Sequence, residues 1–143
     1  MADIYHTLFI KAPITEVFFA VSSPVGLDLW WTDQSSGNPG KGESYSLNFT
    51  DDYQWGALVE EWENDALITY RITQADDDWL DTEVSFRLSH SENKVRLDFE
   101  HRGWKKHNDH FRISSYCWAN YLRILKRNLE LGEFVPYDER NLV

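Results

Sequence analysis

The sequence predicts an α+β fold, a curved antiparallel β-sheet wrapped around one long C-terminal α-helix, with two short helices after the first strand and an apolar pocket between sheet and helix. Three observations predict it. Leu80 to Leu88 and Val95 to Arg102 alternate between apolar and polar side chains, the pattern of an antiparallel sheet with one buried face. From His110 to Leu131 the period lengthens to that of an amphipathic helix. A sheet with one dry face needs a cover, and that helix is the one predicted element long enough to supply it.

The elements follow in order. Ile4, His6, Leu8 and Ile10 share one face of a first strand, with Tyr5, Thr7 and Phe9 on the other. Pro13 suits the first turn of a helix, where its missing N–H costs nothing. Ile14 to Ser22 is that helix, with Val17, Ala20 and Val21 on its buried side and Glu16 near its positive end. Ser23-Pro24 ends it, and a second short helix or turn spans Leu27 to Thr32, carrying Trp30 and Trp31. Ser35 to Gly42 is a loop by composition.

Beyond the loop, Tyr45, Leu47 and Phe49 alternate with Ser44, Ser46 and Asn48, and Trp55, Ala57 and Val59 alternate in the next strand. Leu67 to Thr73 follows the Asn64-Asp65 turn, and Asp76-Asp77-Asp78 is a solvated acidic turn. In the last two strands Leu80, Thr82, Val84, Phe86 and Leu88, then Val95, Leu97, Phe99 and His101, point inward. Their charged partners can pair across strands on the wet side. The final helix buries a stripe of Phe111, Trp118, Leu122, Leu125 and Leu129 over roughly 30 Å, and Gly132 suits the residue just past its end. Glu133 to Val143 is expected to pack loosely on the surface. The order is one strand, a helix pair, six strands and one long helix, without repeats or a linker, so residues 1–143 are expected to form a single domain.

A chain of 143 residues with 42% hydrophobic side chains can build a core without disulfides or a structural metal. Seven Trp, seven Tyr and eight Phe favour an aromatic-lined interior. Fourteen basic against 24 acidic residues give a net charge of −10, which repels phosphate backbones and anionic lipid headgroups. Nucleic-acid and membrane partners are therefore not expected. One cysteine, Cys117, excludes an internal disulfide and suits a reducing cytoplasm. No signal peptide and no apolar run of about 18 residues is visible.

Five segments stand out together: Ile10 to Phe18 at the strand-to-helix junction, the Trp30-Trp31 pair, Gly40 and Gly42, His101-Arg102-Gly103-Trp104, and Trp118 to Lys126. In this order they resemble the START/Bet-v-1-like superfamily, also called SRPBCC, and within it the activator of 90-kDa heat shock protein ATPase homologue-like family. The resemblance covers residues 4–132 and implies the helix-grip fold. It implies no single activity, because members of the superfamily carry lipids or hormones or cyclise polyketides. Relatives often have glycine before the helix tryptophan. Here that residue is Cys117, which implies a narrower space between helix and sheet.

Chemistry-bearing motifs are few. Cys117 reads as a buried structural thiol, because no base is evident to lower its pKa. His101, His107 and His110 lack metal-ligand spacing, and no phosphate loop or nucleophile elbow is present. No metal, cofactor or catalytic residue is therefore expected. His101 continues an inward register yet titrates near neutrality. It could orient a ligand at a pocket mouth, or simply be hydrogen-bonded to backbone or helix. The candidate cavity residues are Trp30, Trp31, Trp55, Phe86, Phe99, His101, Trp104, Trp118, Tyr121 and Leu122, since pockets are mostly apolar with a few polar groups.

Three functions compete. The first is binding of a small hydrophobic or aromatic molecule between sheet and helix. The second is a protein-interaction module with a chaperone-type partner, as the resemblance implies. The third is a cyclase- or hydrolase-type enzyme using His101 or a nearby Tyr. The chain is expected as a monomer or homodimer.

Overall fold

In the computed structural model, which describes residues 2–142, strand β1 (Ala2–Ile10) leads through Pro13 into α1 (Ile14–Ser22) and α2 (Pro24–Leu27). Six strands follow: β2 (Gln34–Ser36), β3 (Ser44–Thr50), β4 (Tyr53–Glu63), β5 (Leu67–Gln74), β6 (Glu83–Ser91) and β7 (Lys94–Trp104). The long helix α3 (Asp109–Leu131) and a 3-10 helix, Tyr137–Leu142, complete the chain. All seven strands join one antiparallel sheet in the order β1-β7-β6-β5-β4-β3-β2. This is the expected helix-grip arrangement.

Irregular register helps curve the sheet. The β4–β5 pairing shifts at Gly56/Ala57 and again at Val59/Glu61, and β1 shifts against β7 between Ala2 and Ile4. Each extra residue bends its strand and sharpens the local twist. The outer face carries charges that pair across strands, as the alternation predicts. Glu60, Arg71, Glu83, Arg102 and Glu100 form a continuous ladder over β4 to β7. Arg71 pairs with Glu60 and, at 2.9 Å, with Glu83, and Arg102 reaches Glu83 at 2.9 Å and Glu100 at 3.1 Å.

The concave face packs against α1 and α3. Helix α1 ends inside the molecule, where its last carbonyls need donors. Aromatic side chains from β3, β5 and the turn after α2 supply them: Trp30 Nε1 donates to Ala20 O at 2.8 Å, Tyr70 to Val21 O at 2.6 Å and Tyr45 to Ser22 O at 2.8 Å. The turn into α2 is tight enough that a Cβ on Gly26 would lie 2.1 Å from Phe19 O, so that position requires glycine. Helix α3 starts on Asn108, whose side chain accepts from Phe111 N at 3.0 Å. It stops at Gly132 in the left-handed conformation (φ 69°), as the sequence predicts.

Four boundaries differ from the sequence reading. The second helix precedes Trp30 and Trp31 instead of carrying them. The Ser35–Gly42 segment contributes to β2, whose three residues pair with β3. Strand β6 begins at Glu83, because Asp81 takes a left-handed φ of 65° that turns residues 76–82 into a folded connection. The tail is not loose. Arg140 is 1% exposed, and its guanidinium donates to Val135 O, Thr32 O and Asp28 O at 2.9, 2.9 and 2.7 Å. Its charge also faces the Phe134 and Tyr137 rings. Val143 lies outside the described residues. No helix among the described residues is long and apolar enough to cross a membrane.

Candidate functional site

Aromatic rings fill the space between sheet and α3 almost completely. Trp118 lies at the centre, with ring centroids 4.5 Å from Phe99, 4.9 Å from Trp31 and 5.8 Å from Trp79, the last nearly parallel at 24°. Trp79 comes from the folded 76–82 connection. Its N–H and that of Leu80 both reach Asp76 O at 3.0 Å, and the turn drives the indole inward against Trp55, 5.0 Å away. Its Nε1 donates to Ser114 Oγ on α3 at 3.3 Å.

Where the packing opens, these rings border a cleft of about 180 Å³. Trp31, Trp55, Trp79 and Trp118 supply four indole walls, and α3 adds His110, Ile113, Ser114, Cys117 and Tyr121. Helical spacing explains the polar row, since 110, 114, 117 and 121 follow one side of α3. Cys117 is half-buried on this wall, not fully buried, and burial pushes its thiol pKa up.

One rim of the cleft is an acid–imidazole pair. Asp78 Oδ2 lies 2.9 Å from His110 Nδ1 and also accepts from Asn108 Nδ2 at 3.3 Å. The His110 hydrogen bond, then that of Asn108, holds the Asp78 carboxyl below the usual carboxylate range. Asn108 thus both caps α3 and steadies the carboxylate facing its first turn.

His101 behaves differently. Thr82 Oγ1 donates to Trp79 O at 2.6 Å, so it accepts from His101 Nε2–H at 2.8 Å. Trp118 Nε1 donates to His101 Nδ1 at 3.1 Å. Both ring nitrogens are committed, the residue is 0% exposed, and burial pushes its pKa down to about 3. The imidazole is a neutral tie between β7, the 76–82 connection and α3. Nothing in this arrangement leaves a proton free for transfer at neutral pH.

The ten sequence candidates therefore separate. Trp31, Trp55, Trp118 and Tyr121 wall the cleft. Trp30, Phe86, Phe99 and Trp104 pack behind it in the core, with His101 buried among them against Trp104 and Trp118. Leu122 sits on another side of α3, lining a groove against β1 with His6 and Leu8. Sequence reasoning missed Trp79, Ser114 and the Asp78–His110 pair. The Asn108-Asp109-His110 start of a helix carried a signal for His110, but its carboxylate partner is 32 residues away. Among the described residues, no three of His, Cys, Asp and Glu gather as a metal ion would require, and His107 packs on Phe111 instead, 4.6 Å away.

Comparison with known proteins adds three findings. The family described as "Activator of Hsp90 ATPase homolog 1-like protein" matches residues 11–130. No curated protein matches the chain. Among solved structures, an Aha1 dimer from Colwellia psychrerythraea is similar with a TM-score of 0.85 at 27% identity, over 93% of this chain and 99% of that one. A Staphylococcus saprophyticus protein (TM-score 0.77, 19% identity, 94% of this chain and 96% of that one) and a Bacillus halodurans protein (TM-score 0.76, 20% identity, 91% and 98%) share the fold.

Proposed function

The chain belongs to the Activator of Hsp90 ATPase homolog 1-like family, and within it we propose that this protein is a binding domain that holds one ring of a small aromatic or hydrophobic molecule in the cleft between sheet and α3. The observation that carries this reading is the cleft walled by Trp31, Trp55, Trp79 and Trp118. An apolar cavity of roughly 150 Å³ takes a benzene ring, so about 180 Å³ admits a single ring with a small substituent. It lies below the roughly 300–1,000 Å³ of sites for larger ligands. Trp30, Phe86 and Phe99 already fill the space where a lipid or a fused polycycle would extend. One core cluster draws on α1, α2, α3 and strands β1 and β3 to β7, which supports reading the chain as one domain.

Toluene is a suitable probe. It should raise the melting temperature and quench tryptophan emission saturably. Cys117→Phe, which places a ring in the cleft from α3, should remove both effects while leaving the fold intact by circular dichroism. No saturable quenching by toluene, or quenching indifferent to Cys117→Phe, overturns the reading.

A second reading is contact with protein, here another copy of the chain. The similar Colwellia protein is a dimer. Ile113 and Tyr116 stand 58% and 78% exposed on α3, one turn apart, where an apolar pair is exposed to water.

A further inference from the structure

We propose that His110 selects among rings entering the cleft by accepting a hydrogen bond at Nε2 from a ring hydroxyl, with Asp78 as its positioning residue. The ligand class is an uncharged single aromatic ring bearing one hydroxyl. The inference rests on the cleft being a ring-binding site.

The geometry assigns the nitrogens. Asp78 Oδ2, 2.9 Å from Nδ1, is an acceptor, so Nδ1 carries the imidazole proton. In that tautomer the lone pair lies on Nε2, and among the described residues no hydrogen bond engages that atom. The ring is held from another side by Trp104, edge-on at 90° with centroids 5.5 Å apart. A carboxylate that orients an imidazole also makes the far nitrogen a stronger acceptor.

The other polar groups of the cleft compete poorly. Ser114 Oγ is already engaged by the Trp79 indole, the Tyr121 hydroxyl is directed to Asn141 Oδ1 at 3.4 Å, and a thiol such as Cys117 is a weak hydrogen-bonding group. Four indoles make most of the wall apolar, so orientation falls to the imidazole, the acceptor with no partner of its own at Nε2. Charge narrows the class further. A ring carboxylate would bring a second anion beside Asp78, in a chain of net charge −10, and like charges at such range repel. A hydroxyl donates without adding charge.

The test compares toluene, p-cresol and p-toluate at neutral pH by tryptophan quenching and calorimetry on the full chain. p-Cresol should bind about fivefold tighter than toluene, the worth of one hydrogen bond in place of water, and p-toluate weaker than both. His110→Phe keeps a ring on the rim but removes the acceptor. It should reverse the ranking measured within that variant, making p-cresol the weaker ligand of the two. Asp78→Ala should reduce the ratio of p-cresol to toluene affinity measured within that variant. If toluene and p-cresol bind the wild type equally, or the p-cresol preference survives His110→Phe, the hydrogen-bond inference is overturned while ring binding stands. If none of the three binds, both fall. The wild-type ranking reads out independently of whether either variant folds.

Discussion

His101 holds one tautomer because Thr82 and Trp118 occupy its two nitrogens, and this has a pH signature. Its folded pKa, about 3, lies below the unfolded value near 6.5. Below pH 6.5 the unfolded chain takes up a proton that the folded chain refuses. The stabilisation is therefore complete above pH 6.5 and declines as pH falls toward 3, with a slope of about 1.4 kcal/mol per unit. His101→Gln can still accept from the indole and donate to the hydroxyl, but it does not titrate. In urea denaturation the wild-type advantage over His101→Gln should shrink steadily across that window. A constant difference would show that the histidine is not held neutral. The sequence made the inward position of His101 legible through the Val95-Leu97-Phe99 register. The partners were not legible, because Thr82 and Trp118 come from elements 19 and 17 residues away whose approach depends on tertiary packing.

At the scale of elements, the regular pieces were readable and the connections were not. Alternation located β1, β3, β4 and β7, and helical periodicity with Gly132 located α3, because each signal repeats over many residues. The 76–82 connection broke the pattern through a single left-handed residue, Asp81, and so Trp79 was missed as a wall of the cleft. The C-terminal tail was misjudged for a related reason: it docks through contacts between residues far apart in sequence, among them those of Arg140. Arg140 reaches the carbonyls of Asp28 and Thr32, more than 100 residues earlier, and no local pattern announces such a contact. Arg140→Ala leaves those carbonyls without the guanidinium and releases the 3-10 helix from the end of α2. A loss of about 2 kcal/mol or more in unfolding free energy is expected, with faster amide exchange across residues 133–141. An unchanged exchange pattern would mean that the tail docks without this side chain.

For the molecule as a whole, the composition correctly announced an aromatic interior but could not divide it between packing and cleft. Both uses draw on the same indoles, and only the three-dimensional distribution of Trp30, Trp31, Trp55, Trp79, Trp104 and Trp118 separates them. Self-association belongs to this scale too. Sedimentation velocity at increasing concentration should show a dimer for the wild type and a shift toward monomer for Tyr116→Lys, which places a charge on the exposed α3 patch. A monomer at every concentration excludes that contact. The surface used matters, because an open sheet offers a second route to assembly, the addition of a strand from a neighbouring molecule. Here the side chains of α3 obstruct it. Lys126 Nζ donates to Phe9 O and Glu130 Oε2 accepts from Lys11 N at 2.8 Å, so the end of β1 is already occupied by its own chain. The opposite border is β2, only three residues long. A neighbouring strand would have to displace both Lys126 and Glu130 before it could pair with backbone at the end of β1.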